Sequence, residues 1–154
     1  MNELTRPQVK FPPPVFYLVM IVIGIGINSV VPLQWQTGFF AVWLGIAVIG
    51  LGLMTIAWTA FEFRRHQTTI MPHKASSRII QMGPFRVSRN PIYVCFTLIQ
   101  LGVGIALGNI WILLLILPTI WIMTRFVIER EEAFLKQAFG EEYIAYLGRV
   151  RRWV

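Results

Sequence analysis

The sequence predicts an all-α integral membrane protein, a bundle of four transmembrane helices with a cytoplasmic loop and C-terminal helices. Three observations carry this expectation. The chain of 154 residues is 56% hydrophobic, with mean hydropathy +0.63, and the apolar residues fall in long runs of the length a bilayer demands. The two shortest polar breaks, 34–38 and 108–109, carry no charge. The basic residues gather instead in the N-terminus, in one long loop and in the C-terminal segment, so these three regions belong on one side of the membrane, the cytoplasmic side. Net charge is +7, from 14 Lys+Arg against 7 acidic residues, all of them glutamate. In this setting the charge serves orientation and anionic headgroups, and it does not imply nucleic acid.

Each element follows in order. Residues 1–14 form a short polar start with Arg6 and Lys10, and Pro12, Pro13 and Pro14 give a stiff lead-in. The first span covers 15–33. It is too long for a signal peptide, and no small-residue cleavage site follows it. After an uncharged turn the second span covers 39–61. Its Gly45, Gly50 and Gly52 are a packing signal, because small residues let helices approach closely in lipid. The cytoplasmic loop covers 62–90, with Pro72, Gly83 and Pro84 as breakers. The third span, 91–107, is short. Gly108 and Asn109 make a tight turn into the fourth span, 110–128, where Pro118 predicts a kink. A charged helix continues over 129–139, Gly140 stops it, a short helix follows over 141–147, and the tail ends in basic residues and Trp153. The whole is a single membrane domain, 1–154, without internal repeats.

The stretch from Gly83 to Tyr93 links the two apolar halves. Asn90 suits an N-cap and Pro91 a first helical residue. A helix starting there at the water boundary presents backbone N–H groups and a partial positive charge to a carboxylate or phosphate. Arg86 and Arg89 flank it, and Tyr93 adds an aromatic face and a hydroxyl. The second candidate stretch is 128–152. Arg125, Glu129, Glu132 and Lys136 lie three to four apart on one helix face. Arg125 sits in the last turn of an apolar run, where an ionisable side chain needs a partner, and Glu129 or Glu132 is the expected one. Tyr143, Tyr146 and Arg149 are also spaced at three, so carboxylates, guanidinium groups and aromatic rings converge on one boundary.

Several chemistries are disfavoured. His66, His73 and Glu62 do not supply the three converging ligands of a catalytic metal. The chain has no aspartate for a Ser-His-Asp set, no phosphate-binding glycine loop after a strand, and no basic-aromatic surface for nucleic acid. Its one cysteine, Cys95, falls within an apolar span and reads as a small hydrophobe.

Taken as an ordered set, Gly83 to Tyr93, Glu131-Glu132, Leu135, Phe139 to Tyr143, Tyr146 and the Val150 to Trp153 tail resemble the isoprenylcysteine carboxyl methyltransferase and phospholipid methyltransferase superfamily. The resemblance covers about residues 61–154. The superfamily's Arg-His-Pro-x-Tyr motif matches Arg89, Asn90, Pro91 and Tyr93, with Asn90 standing where the eukaryotic carboxyl methyltransferases have histidine. The superfamily's paired glutamate matches Glu131 and Glu132. The resemblance implies an S-adenosylmethionine-dependent enzyme whose loop and C-terminal helices form a cofactor pocket. It implies cofactor contacts from Arg89, Asn90, Pro91, Tyr93, Glu131, Glu132, Tyr143 and Tyr146. Glu132 is the candidate base and Arg149 its catalytic companion, and no metal is implied. The acceptor is expected to be a lipophilic small molecule, an isoprenylcysteine carboxylate-like compound or a lipid amine, entering from membrane lipids. A bacterial cytoplasmic membrane is the expected location, with termini and active site cytoplasmic. Two other readings compete: an NADPH-dependent membrane reductase, since the C-terminal region of sterol reductases is similar, and a non-enzymatic membrane module. Oligomeric state is not readable from the sequence.

Overall fold

The computed structural model describes residues 12–65 and 79–154. His66, Pro72, His73, Lys74 and Arg78, like Arg6 and Lys10, lie outside the described residues. The described chain is helical: α1 Pro13–Val30, α2 Phe39–Arg65, a 3-10 turn Gly83–Arg86, α3 Pro91–Leu107, α4 Ile110–Leu114, α5 Ile116–Met123, a π-helical turn Thr124–Ile128, α6 Glu129–Phe139 and α7 Glu141–Leu147. Three stretches are long and apolar enough to cross a membrane, Pro13–Val30, Phe39–Arg65 and Ile110–Phe139, and α3 is a shorter apolar helix. At 17 residues α3 extends about 25 Å, at the lower bound for a span.

The helix ends differ from the sequence expectation for local reasons. The first span stops at Val30 and not at Leu33. The Asn28 side chain accepts the Leu33 N–H at 2.9 Å and donates to Gln34 Oε1 at 3.0 Å, so a side chain competes successfully with the helical carbonyl. The second helix runs one turn past residue 61, which places Glu62 on α2 and buries it. There the Phe63 ring packs edge-on against Phe85 at 5.6 Å. Pro118 was expected to kink the fourth span, and the break falls one turn earlier, at Leu115 between α4 and α5. Proline has no N–H to give the carbonyl four residues before it, so the helix is weakest just ahead of it.

In the bundle, α3 packs against α2 on one side and against α1 and α4 on the other. Gly45 and Gly102 bring α2 and α3 into backbone contact, and Gly52 sits against the Cys95 carbonyl. Gly50 faces open space, so only two of the three glycines of the second span serve this crossing. Gln100, fully buried in the middle of α3, donates to the Ile112 carbonyl of α4 at 3.2 Å. Large apolar side chains such as Phe40, Met54, Trp58, Leu117 and Trp121 point outward, an exterior suited to lipid and not to water.

At one end of the bundle the two short turns clasp each other. The Trp35 N–H donates to the Gly108 carbonyl and the Ile110 N–H to the Leu33 carbonyl, both at 3.1 Å. Gly108 has φ +62°, and a Cβ there would lie 2.5 Å from the Trp35 carbonyl oxygen. Gly108→Ala is therefore expected to lower stability by about 1–2 kcal/mol. Gly26→Ala, at a position with nothing within 4 Å, should leave it unchanged or slightly improved. Thermal unfolding of the two variants in detergent checks this, and equal midpoints would contradict the clasp.

Candidate functional site

The opposite end of the bundle gathers the end of α2, the start of α3, α6, α7 and the tail. Gly83 makes the approach possible. It has φ +59°, and a Cβ would meet Glu62 Cγ at 2.7 Å, so only glycine lets the turn lie against the end of α2. The 3-10 turn then delivers Ser88, Arg89 and Asn90 to the start of α3.

Asn90 and Pro91 occupy the N-cap and first helical positions, as the sequence suggests, but the Asn90 side chain does not cap the helix. Its Nδ2 donates to the Arg152 carbonyl at 3.0 Å, and the Ser88 hydroxyl accepts the Asn90 N–H at 3.1 Å. The Ser88 hydroxyl also reaches the Arg152 carbonyl at 3.3 Å, and the Arg89 N–H donates to the Arg151 carbonyl at 3.0 Å. The helix start does not face open water as the sequence suggests: two carbonyl oxygens of the tail lie over it and accept from the Arg89 N–H, the Ser88 hydroxyl and the Asn90 amide.

The ionic centre lies beside it on α6. Glu132 is buried. Its Oε1 pairs with Arg89 Nη2 at 3.0 Å, and Arg152 donates Nε to Oε1 at 3.1 Å and Nη2 to Oε2 at 2.7 Å. Arg152 also approaches Glu129 at 3.8 Å, and Glu129 holds Arg125 at 2.9 Å. Arg125 therefore finds its expected partner one turn away. Arg89 gives Nη1 to the Leu147 carbonyl at 3.2 Å. Its Nε is buried with no hydrogen-bond partner among the described residues, an outstanding donor in a low-dielectric setting.

Glu131 faces the other way and accepts the Tyr93 hydroxyl at 2.9 Å. No cation among the described residues pairs with it within ion-pair distance. Tyr143 and Tyr146, both buried, bring their rings within 6.1 Å of each other, and the Tyr146 hydroxyl donates to the Phe85 carbonyl at 2.7 Å. Burial raises both phenols, Tyr146 to about 12, so both stay neutral.

Seven of the predicted site residues, Arg89, Asn90, Tyr93, Glu131, Glu132, Tyr143 and Tyr146, meet around this centre, with Pro91 as the buried first residue of α3. Arg149 does not join them. It is exposed, with its guanidinium on Gln81 Oε1 at 2.9 Å and on the Ala145 carbonyl. The tail arginine that meets Glu132 is Arg152. Tyr17 of α1 was also missed. Its hydroxyl lies 3.0 Å from Thr97 Oγ1 and 3.3 Å from the Tyr93 carbonyl, and its ring joins Tyr93, Met123, Val127 and Ile128 in the core. A tyrosine near the polar end of the first span was the available signal. Trp153, read as an interface residue, packs on this core and donates to Thr124 Oγ1 at 3.1 Å. Among the described residues no cluster of three potential metal ligands occurs.

A model of the phospholipid methyltransferase family matches residues 40–142. The chain belongs to this family. An uncharacterized protein of Haemophilus influenzae is 38% identical over 63 residues, 41% of this chain and 100% of that protein. No solved structure matches the chain. The match to the phospholipid methyltransferase family, with the apolar helices, makes this a membrane protein of a methyltransferase family. The matched stretch contains Arg89, Asn90, Pro91, Tyr93, Glu131 and Glu132 and stops just short of Tyr143. Tyr17 and Arg152, which buttress that centre, lie outside it.

Proposed function

We propose that this protein is an S-adenosylmethionine-dependent methyltransferase acting on a lipophilic small-molecule acceptor, an isoprenylcysteine carboxylate-like compound or a lipid amine. Its termini and active site would face the cytoplasm of a bacterial cell. The observation that supports this reading most is the paired Glu131-Glu132 with a buried Arg89 whose Nε has no partner among the described residues, within the stretch that matches a methyltransferase family.

The donor set fits the methyl donor. Arg89 Nε is a buried donor for a carboxylate. Among the described residues Glu131 pairs with no guanidinium and suits a ribose hydroxyl, while Glu132, already a cation site, suits the ammonium. Tyr143 or Tyr146 offers a ring face to adenine or to a cation. When bound, the donor supplies an electrophilic methyl group on a sulfonium. The protein's work is to orient the acceptor in line and exclude water. A carboxylate or thiolate acceptor needs no base. For an amine acceptor the proton would go to Glu131. The sequence favours Glu132 for that role, but both Glu132 oxygens already accept from arginines, whereas the Glu131 carboxyl accepts from the Tyr93 hydroxyl and pairs with no guanidinium among the described residues. An acceptor with a lipid tail would enter from the bilayer between the helices.

Calorimetric titration of S-adenosylmethionine and S-adenosylhomocysteine into detergent-purified protein tests the reading, with NADPH alongside. Saturable micromolar binding of both adenosyl compounds is expected, weakened about tenfold or more in Arg89→Ala. Binding of NADPH alone by folded protein would favour the reductase reading and reject this one.

A further inference from the structure

The tail beyond α7 is tied down at three places that no helix or membrane span requires. Its main-chain carbonyls at Arg151 and Arg152 take the Arg89 N–H, the Ser88 hydroxyl and the Asn90 amide. Its Arg152 guanidinium holds both oxygens of Glu132. Its Trp153 indole donates to Thr124 in the π-helical turn and packs on the core around Tyr93. A π turn just ahead of α6 is an uncommon feature, often found at functional sites. Here it meets the tail.

The two arginines on Glu132 are not equivalent. Arg89 has 12% of its side chain exposed and is anchored by the Leu147 carbonyl and by its own N–H. Arg152 is 32% exposed and reaches Glu132 from the stretch beyond α7. One of the two must yield if a cationic group is to reach Glu132, and Arg152, more exposed and with Glu129 3.8 Å away to receive it, is the one placed to do so. Exchanging one cation for another on a buried carboxylate also avoids the cost of leaving that carboxylate bare.

We propose that residues 150–154 form a displaceable strap over the site, and that Arg152 is an internal counter-ion that the ammonium of the bound adenosyl compound replaces on Glu132. The inference rests on the donor reading above. Displacement of Arg152 withdraws its carbonyl from Ser88 and Asn90 and uncovers the start of α3. The closed strap lowers the apparent affinity by the fraction of molecules it occludes.

The test uses the full-length protein in detergent and S-adenosylhomocysteine as probe. Arg152→Ala should tighten binding about fivefold or more, because it removes the internal competitor. Trp153→Phe keeps the aromatic packing but loses the indole N–H, and should shift affinity in the same direction; it serves where Arg152→Ala unfolds. Hydrogen exchange in the tail should accelerate when the wild type is saturated. The strap is overturned if Arg152→Ala weakens binding as Arg89→Ala does, if affinity is unchanged, or if the tail becomes more protected on binding. Wild type that binds with unaltered variants rejects the strap alone. Cooperatively folded wild type and variants that all fail to bind reject the donor reading and the strap with it.

Discussion

Glu132→Gln is expected to cost about 3 kcal/mol of stability and to remove most adenosyl-compound binding, because it leaves buried guanidinium charge without its counter-ion. In the wild type the carboxylate takes contacts from Arg89 and Arg152 at 2.7–3.1 Å. Glutamine keeps the shape but turns one acceptor into an N–H₂ donor, which must face a guanidinium. Arg152 has an outlet, since Glu129 is 3.8 Å away and Arg152 is partly solvated. Arg89 has none of comparable strength. Among the described residues its side chain retains the Leu147 carbonyl, and its Nε is already unpartnered there. The unfolding midpoint should fall by roughly 5–10 °C. The exposed Glu141→Gln serves as control and should do neither. A Glu132→Gln protein with wild-type melting would mean that the ion cluster does not form.

The second large effect is expected at the α2–α3 crossing. A Cβ on Gly45 would lie 2.5 Å from the Gly102 carbonyl oxygen and 2.6 Å from the Ala106 nitrogen, and a Cβ on Gly102 would lie 2.6 Å from the Gly45 carbonyl oxygen. These neighbours are main-chain atoms, which cannot swing aside, so the helices must separate. Gly45→Ala or Gly102→Ala should each cost about 1–3 kcal/mol, and a leucine at either position more than that. Gly50→Ala, on the open face of α2, should be neutral or slightly stabilising. Detergent melting curves of the series give the comparison, and equal tolerance at all three glycines would rule out the close crossing. Since α3 carries Tyr93, separating these helices should also disturb the contact between Tyr93 and Glu131.

The features legible in the sequence are those that depend on neighbours along the chain. Apolar runs, breakers and the absence of charge in the two short turns define four helical stretches, because lipid forces each backbone to satisfy its own hydrogen bonds within a helix. Pro91 and Asn90 mark the start of α3, and Gly108 and Gly140 mark helix ends with positive φ. The paired glutamate and the 83–93 stretch identify the site region from residue type and order. Those same residues do not reveal the direction of the Asn90 amide, which a carbonyl 62 residues away decides.

What the sequence determined by itself is therefore the class of protein, its helices, and the seven polar and aromatic residues around one boundary. Only the tertiary structure decided which arginine serves Glu132, that Glu131 stands apart with Tyr93, and that Tyr17 of the first helix supports them. It also decided that the tail covers the start of α3. Arg149 and Arg152 are chemically identical and three residues apart, so spacing alone could not choose between them. The choice falls to where the chain turns after Gly148, and that turn is held by contacts to Arg89, Ser88, Asn90 and Thr124, residues distant in sequence and adjacent only once the helices have packed.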